Sequence, residues 1–269
     1  MFPFILLILA FLAPAPQPKV ILVTIDGVMW QDIYSSNARL IVPNLYLDFV
    51  QQGIAVGKMS PMVATGPMHI SLPSYLEITR GHPSKDCQRN DCYPVIDRSI
   101  FQLFSNSALF ASWKNIQRTV PAHANVYTDH SPPYRWDANT IGVADDYLKT
   151  HTPEFLWVAL GDTDEWAHAN DRAHYLAALT AADTYIRSLV VRYPNATIIV
   201  TTDHGRSSNF RDHGIDSGSG RVWLMMRGPS VPHKGLVAAN HLSLSNIYDT
   251  ISEIQTGIHS DNSILSRIQ

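Results

Sequence analysis

The sequence predicts an α/β protein with a doubly wound, mostly parallel central sheet and helices on both faces. Three apolar runs carry this prediction: residues 19–27 (KVILVTIDG), 154–161 (EFLWVALG) and 196–205 (ATIIVTTDHG). Runs of this kind are typical of parallel strands buried on both faces, and segments with helical patterns separate them. An acidic residue follows each run at its carboxyl end, where α/β sheets bind ligands.

The composition indicates a globular protein and argues against one class of partner. The chain has 269 residues, of which 45% are hydrophobic and 16% charged, and its net charge is −3. This is enough apolar material for a sizeable core. Because no basic stripe is present, duplex nucleic acid is not expected as a partner.

The N-terminus carries a short apolar segment. Its first thirteen residues, MFPFILLILAFLA, are apolar throughout, and PAPQP follows. The run is short for a bilayer span and has the length of a signal-peptide core, although it lacks the Lys or Arg that usually stands at the start of a signal peptide. We interpret residues 1–18 as a signal peptide of a periplasmic or secreted protein, or as a retained N-terminal anchor. No stable membrane span is expected unless the segment is retained. Residues 19–269 contain no repeat or linker and are predicted to form a single domain.

The two cysteines lie in a polar loop, CQRNDC, at Cys87 and Cys92. In an exported protein this spacing favours a local disulfide. A zinc site is the alternative, but no second Cys or His pair stands at a suitable spacing.

The first strand, residues 19–27, ends in Asp26-Gly27. Its aspartate is either a candidate ligand at the edge of the sheet or a residue that caps the next helix. Residues 43–53 predict a short helix that stops at Gly53.

A second helix is predicted to start at Ser71-Leu72-Pro73. Ser71 would either cap this helix or act as a nucleophile at its positive end, where an alkoxide and a phosphate are both stabilised.

The middle of the chain, from residue 81 to residue 152, carries no assigned chemistry. Residues 100–104 predict a helix, 109–113 a strand and 143–149 a further helix, with the loop PPYRWDANT in between. The strand at 154–161 is followed by DTDEWAH, in which Asp164 and His168 are four residues apart. On a helical turn both side chains would share one face and reach one metal ion. Asp162 and Glu165 are rivals, but neither has a His four residues later.

The third strand ends in Asp203-His204, and His213 follows in a DHG turn. A carboxylate beside an imidazole is a plausible ligand set for zinc-like ions, whereas the alternative is a capping Asp with a chance His. Residues 221–229 predict another strand, and residues 247–254 the last helix, preceded by His241.

Together these segments supply three histidines, three carboxylates and one hydroxyl, which is enough for two adjacent metal ions. Their motifs are VTIDG (23–27), SLPSYLEITRG (71–81), DTDEWAH (162–168), TTDHG (201–205) and DHG (212–214). In this combination and order the sequence resembles the alkaline phosphatase superfamily. More narrowly, it is similar to nucleotide pyrophosphatase/phosphodiesterase-type metalloenzymes.

The resemblance implies an alkaline-phosphatase-like fold and assigns roles to these residues. One divalent ion would be held by Asp26, Asp203 and His204, next to Ser71. The other would be held by Asp164, His168 and a later histidine, which is His213 or, as the runner-up, His241. The ions are expected to be Zn2+, with Mn2+ as an alternative. Ser71 would attack phosphorus in line and form a phosphoseryl intermediate that water then hydrolyses.

The resemblance leaves the substrate class open. Ser74 falls where many phosphodiesterases carry Asn, so Ser74, Arg80 or a backbone N–H would have to hold a phosphoryl oxygen. The substrate is expected to be a small phosphate ester, with a diester preferred to a monoester. Trp30, Tyr75 and Trp166 lie close to ligands in sequence and would form an apolar slot for a second ester group, or simply belong to the core.

The sequence also allows alternatives to a phosphodiesterase, and most of them fit its motifs less well. A phosphomonoesterase or a phosphonate or sulfate ester hydrolase would share the fold. A sulfatase would need a C/S-x-P-x-R motif, and Tyr75 stands in place of its Arg. A mutase would be larger and cytoplasmic. A structural metal-binding domain would normally have a closed site of four ligands, so it fits this set poorly.

Overall fold

The computed structural model describes residues 17–129 and 132–268. The predicted signal segment therefore lies outside the described residues, except for its last two positions. In the part of the chain that is described, no helix has the length and apolar character needed to cross a membrane. The strands are β1 (Val20–Ile25), β2 (Ile54–Val56), β3 (Met62–Val63), β4 (Ser107–Ala111), β5 (Val126–Thr128), β6 (Phe155–Leu160), β7 (Thr197–Thr201), β8 (Arg221–Val222), β9 (Leu224–Arg227), β10 (Gly235–Leu236) and β11 (Leu242–Ser243).

Eight of these strands form the central sheet, in the order β10-β2-β9-β7-β1-β6-β4-β5. The pairs from β7 to β5 are parallel, and only β9 runs antiparallel to its two neighbours, β7 and β2. A small second sheet has the order β11-β3-β8. The prediction of a mostly parallel α/β sheet is confirmed.

The helices surround this sheet. The α-helices are α1 (Trp30–Tyr34), α2 (Ala38–Ile41), α3 (Pro43–Leu45), α4 (Ser71–Arg80), α5 (Asp137–Leu148), α6 (Asp162–His168), α7 (Arg172–Arg192), α8 (Asn246–Thr256) and α9 (Ile264–Arg267). A π-helical turn continues α3 over Tyr46–Val50, and 3-10 helices span Ile100–Leu103 and Lys114–Thr119.

Both faces of the sheet are covered by helices. Side chains along β1 alternate between two hydrophobic cores, because successive residues of a strand point to opposite faces. Leu22 packs in a core with α4 and α8, whereas Val23 packs in a second core with α5 and α7. The doubly wound arrangement predicted from the sequence is therefore present.

The last predicted strand differs from its expected form. Residues 221–229 predict one strand, but they form β8 in the small sheet and β9 in the large one, separated by Trp223. The Trp223 side chain is fully buried, and its Nε1–H donates to the Val28 carbonyl at 3.2 Å. This buried anchor turns the chain from one sheet into the other.

Three central strands direct their following residues to one edge. β6, β1 and β7 are adjacent and parallel, with Leu22 in register between Trp157 and Ile199. The residues that follow their carboxyl ends therefore meet, and these are the segments that begin at Asp26, Gly161 and Thr202. This edge holds the candidate site.

Candidate active site

The loops at this edge are tied to one another by hydrogen bonds. The Asp26 N–H donates to the Leu160 carbonyl at 3.0 Å, and the Gly27 N–H donates to Asp203 Oδ1 at 3.1 Å. The Thr202 hydroxyl accepts from the Val28 N–H at 3.0 Å. The backbone at the ends of β1, β6 and β7 thus holds the acidic side chains in fixed relative positions.

Ser71 is the first residue of α4, and it does not cap the helix. The capping position belongs to Ile70, which is extended and makes no side-chain bond to the helix. The Ser71 side chain is 5% exposed and faces a cavity of about 200 Å3. The cavity is lined by Asp26, Ser71, Asn90, Trp113, Tyr134, Gly161, Asp164, Glu165 and His168. Ser71 thus shares this small cavity with three of the predicted metal ligands.

The first ligand group brings together Asp26, Asp203 and His204. His204 Nε2 lies 3.2 Å from Asp26 Oδ1 and 3.4 Å from Asp203 Oδ2. These three atoms are buried and have no hydrogen-bond partner among the described residues. Buried polar atoms are almost always paired, so three converging exceptions fit a cation that is held between them.

The His204 ring is already oriented as a ligand. Its Nδ1 lies 2.9 Å from the Gly205 carbonyl, which can only accept, so Nδ1 carries the proton. In the neutral ring that binds a metal, Nε2 then offers its lone pair on the side of the two carboxylates. A metal-bound imidazole is commonly fixed in this way by a hydrogen bond from its other nitrogen.

The second ligand group brings together Asp164, His168 and His213. His168 Nε2 lies 3.2 Å from Asp164 Oδ2 across one turn of α6, and 3.1 Å from His213 Nε2. His213 Nδ1 lies 3.1 Å from the His69 carbonyl, so this ring also keeps its Nε2 lone pair free. One possible ligand atom from each of the three residues lies within 4.8 Å of the others.

The two groups are continuous with each other. Asp164 also lies within 4.8 Å of ligand atoms of Asp26 and His204, and the His204 and His213 rings stack with centroids 3.9 Å apart. The candidate ligand atoms therefore form one cluster in which Asp164 adjoins both groups.

Charge and burial shift the ionisation of the first group. Burial, with Asp26 beside it, raises the pKa of Asp203 to about 8. Burial alone would lower the pKa of His204, but the negative charges of Asp203 and Asp26 outweigh it and raise that pKa to about 9. Without a cation, the cluster balances its charge by holding protons.

The second group is shifted differently. Burial and the neighbouring His204 lower the pKa of His213 to about 3, which keeps this ring neutral. Burial would raise the pKa of Asp164, but the hydrogen bond from His168 and the charge of Arg206 hold it below its ordinary value. A neutral imidazole beside an ionised carboxylate is the protonation state that metal ligands require.

Arg206 is a site residue that the sequence did not indicate. It lies two residues after His204, is 3% exposed, and its guanidinium forms an ion pair with Asp164. Its Nε–H also donates to the Gly27 carbonyl at 3.1 Å. Gly27 has a positive φ of 63°, and a Cβ there would lie 2.5 Å from Arg206 Nη2. The glycine therefore leaves room for the arginine.

Asn90 is the second residue that sequence reasoning missed. It belongs to the loop between Cys87 and Cys92, which form a disulfide as predicted. Asn90 Oδ1 accepts from the Leu72 N–H at 3.0 Å, beside Ser71. Because Oδ1 must be the acceptor, Nδ2 remains as a donor in a residue that lines the cavity. The sequence does show an Asn inside CQRNDC, but it does not show that this loop packs against the start of α4.

The two residues proposed for substrate binding lie elsewhere on α4. Ser74 is buried, and its hydroxyl has no partner within the described residues. Arg80 is at the opposite end of the ten-residue helix and forms an ion pair with Asp86 at 2.8 Å. Nine residues of helix correspond to about 13 Å, so the structure does not bring the Arg80 guanidinium to Ser71.

The fold separates His241 from the site but buries Tyr75 against a predicted ligand. His241 lines a different cavity, beside Ser60 and Pro61, and it is His213 that the structure places beside Asp164. Trp30 packs under Arg221, and Tyr75 is buried with its hydroxyl donating to Asp26 Oδ2 at 3.1 Å. Trp166 stacks on Trp136 instead, 5.2 Å away. The aromatic residues that do line the Ser71 cavity are Trp113 and Tyr134.

The sequence model of the Metalloenzyme superfamily matches residues 104–254, which is more than half of the chain. The protein belongs to this superfamily, an alkaline-phosphatase-like family of metal-dependent hydrolases. No curated protein sequence matches the chain.

Solved structures share the fold at low sequence identity. Murine ectonucleotide pyrophosphatase/phosphodiesterase 5 superposes with a TM-score of 0.67 at 11% identity, covering 93% of this chain and 100% of that one. The phosphonate monoester hydrolase SpPMH from Silicibacter pomeroyi has a TM-score of 0.66 at 13% identity, covering 89% and 73%. A structure of BT4656 in complex with its substrate D-glucosamine-2-N,6-O-disulfate has a TM-score of 0.65 at 12% identity, covering 91% and 77%.

Proposed function

We propose that the protein is an exported two-metal hydrolase of phosphoric esters, similar to phosphodiesterases, that works through a phosphoseryl intermediate on Ser71. One observation carries this proposal. Three buried ligand atoms that have no hydrogen-bond partner in the described part of the chain converge at the edge of the sheet where Ser71 faces a small cavity. A metal site that only stabilised the fold would not require the Ser71 hydroxyl, which does not cap α4, beside its ligands.

The ligand groups divide as the resemblance implies. Asp26, Asp203 and His204 would hold one divalent cation, and Asp164, His168 and His213 the other. The mixture of imidazole and carboxylate favours Zn2+, and the excess of oxygen in the first group leaves Mn2+ as an alternative. When bound, the two ions supply Lewis acidity to the reacting oxygens.

The residues of the chain would perform the remaining steps. Ser71 Oγ would give its proton to solvent and form a bond to phosphorus, while the bond from phosphorus to the leaving oxygen breaks and that oxygen takes the electron pair and then a proton. Water would then attack phosphorus and lose a proton, while the bond from phosphorus to Ser71 Oγ breaks and that oxygen takes back a proton. The positive end of α4 favours negative charge at this position, and Asn90 Nδ2 is available to donate to a non-bridging oxygen.

A location outside the cytoplasm is part of the proposal. The Cys87–Cys92 disulfide supports it, because such bonds persist in oxidising compartments. The apolar residues 1–13 agree with a signal segment.

The decisive experiment replaces Ser71 by Ala in the metal-loaded protein. Turnover of chromogenic phosphate monoesters and diesters is measured with and without chelator, on the unmodified protein and on Ser71→Ala. Ser188→Ala is the matched control, because its hydroxyl is also on a helix but bonds to the Tyr185 carbonyl far from the site. We expect turnover that is lost with chelator and in Ser71→Ala but kept in Ser188→Ala. The better substrate identifies the subclass.

Two results would contradict the proposal. Full metal occupancy without turnover of any phosphate ester would exclude it. Turnover of phosphonate or sulfate esters alone would mean that the protein is a different type of hydrolase of the same superfamily.

A further inference from the structure

A second depression lies beside the Ser71 cavity. It has a volume of about 430 Å3, and we call it the lateral groove. Its lining includes Tyr93, Trp113, Lys114, Arg118 and Pro133. Trp113 lines both depressions, and Tyr134 of the Ser71 cavity follows Pro133 directly. The two depressions therefore adjoin at Trp113.

Hydrogen bonds connect the segments that line the lateral groove to the loop beside Ser71. The Lys114 N–H donates to the Pro133 carbonyl at 3.0 Å, and Asn115 Nδ2 donates to the Asn90 carbonyl at 3.0 Å. Arg118 Nη1 donates to the Cys92 carbonyl at 2.8 Å. The 3-10 helix Lys114–Thr119 is thereby held against the disulfide loop that also reaches Ser71.

The groove carries positive charge that is not balanced locally. Neither Lys114 nor Arg118 has an ion-pair partner within residues 17–129 and 132–268. The two acids nearby are already engaged, since Asp91 pairs with Arg89 at 3.2 Å and Asp129 pairs with Arg135. Arg118 instead lies 4.2 Å above the centre of the Tyr93 ring, which leaves its charge available.

The two sides of Trp113 thus differ in charge. The Ser71 cavity is lined by Asp26, Asp164 and Glu165, whereas the lateral groove presents two cations. We propose that the lateral groove binds a second anionic group of the substrate, separate from the ester that is hydrolysed. This inference rests on the proposed function and narrows its substrate class to esters with an additional phosphate, sulfate or carboxylate.

The test uses pairs of 4-nitrophenyl phosphodiesters that differ in one terminal group. In each pair the second ester group is an alkyl chain that ends either in a sulfonate or in an uncharged methyl group, and the series covers increasing chain lengths. We expect a lower KM for the sulfonate member at a suitable length, with kcat unchanged. In Lys114→Ala and Arg118→Ala this advantage should fall about fivefold to tenfold, as expected for loss of a charge-assisted contact.

Matched controls are available on the same chain. Lys58→Ala removes an exposed lysine, and Arg39→Ala removes an arginine that lies over the Tyr46 ring as Arg118 lies over Tyr93. Both should keep the sulfonate advantage. The inference is overturned if sulfonate gives no advantage at any length, or if Lys114→Ala and Arg118→Ala weaken both members of a pair equally.

A binding measurement separates this inference from the proposed function. Calorimetry on the Ser71→Ala variant compares alkyl phosphonates with and without a terminal sulfonate, and needs no turnover. Tighter binding of the sulfonate that disappears with Lys114→Ala supports the groove even if no ester is hydrolysed. Equal binding of both phosphonates rejects the groove and leaves the hydrolase proposal intact.

Discussion

Asp164 is the residue through which the two ligand groups are connected. Its carboxylate contacts His168 and Arg206, and it lies near Asp26 and His204 as well. Asp164 thus adjoins both groups, and the Arg206 guanidinium partly neutralises its negative charge.

Replacing Asp164 by Asn should therefore affect both proposed ions. The substitution removes a charged ligand and leaves the buried Arg206 guanidinium without its partner. We expect the metal content after dialysis to fall well below that of the unmodified protein. Elemental analysis gives the content, and Asp145→Asn, an acid paired with Arg192 at the surface, is the control. Unchanged metal content in Asp164→Asn would remove this residue from the ligand set.

Asn90 allows a test that separates its two hydrogen-bonding functions. Asn90→Asp keeps an acceptor for the Leu72 N–H but replaces the Nδ2 donor by a second negative oxygen. We expect the protein to fold normally and kcat/KM for phosphate esters to fall by about tenfold or more, the loss expected for a charge-assisted contact. Steady-state kinetics measure the effect, with the exposed Asn139→Asp as control. Equal kinetics for both variants would mean that Nδ2 does not contact the substrate.

Short motifs in the sequence indicated the acids and histidines of the candidate site, because most of them follow the end of a strand or lie on the helix that begins there. Arg206 and Asn90 could not be found in the same way. Arg206 comes from a turn whose direction depends on packing against Gly27, and Asn90 from a loop that folds back on α4. Arg80 shows the converse error, since a cation nine residues along a helix lies at its far end.

Among the structural elements, the junction of β6 with α5 and α6 carries a pair of neighbouring acids, the buried Asp137 and the partly buried Asp162. Asp137, at the start of α5, accepts from the Gly161 N–H at 2.7 Å and from the Asp162 N–H at 3.2 Å. Asp162 in turn accepts from the Tyr134 hydroxyl at 2.6 Å. This network fixes both Tyr134 and the start of α6.

The junction predicts a pH dependence of stability. Burial and the neighbouring Asp162 raise the pKa of Asp137 to about 7, against 3.8 for a free aspartate. The folded protein then binds more protons than the unfolded chain between these values, so this group's contribution to the unfolding free energy decreases as the pH rises from about 4 to about 7. Asp137→Asn should lose this component in denaturant titrations at several pH values. Asp146→Asn, exposed on the same helix, should retain it, and parallel pH profiles of all three proteins would contradict the assignment.

The long regular elements were predictable from the sequence, and the short ones were not. β1, β6 and β7 follow from uniform apolar runs, α4 from its capping pattern and α6 from the spacing of Asp164 and His168. The division of residues 221–229 between β8 and β9 depends on Trp223 packing under β1. That contact spans nearly the whole chain, so no local pattern contains it.

For the molecule as a whole, the site concentrates three acids at the edge of its main sheet. Asp26, Asp164 and Asp203 come from segments that follow three different central strands, so their mutual repulsion acts across the sheet. Bound cations would relieve this repulsion and add stability that rises with the logarithm of the free ion concentration above Kd.

The chelated protein should therefore unfold at a lower temperature than the metal-loaded one. A single ion at a free concentration about 100 times its Kd stabilises the folded state by about 2.7 kcal/mol. Calorimetric scans with chelator, with Zn2+ and with Mn2+ measure the shift and rank the metals. A melting temperature that is the same in all three would mean that the folded state binds neither ion.

The contact between Gly27 and Arg206 also restricts how this sequence can diverge. A side chain at position 27 would collide with the guanidinium, and its Cβ would also lie 2.7 Å from Asp164 Oδ1. Exchange of the glycine would therefore require both the Arg206 guanidinium and the Asp164 carboxylate to shift, and it would strain the backbone at this positive φ. Positions 27, 164 and 206 should therefore vary together among descendants of this protein, so that the order in which their mutations arise decides which of them survive.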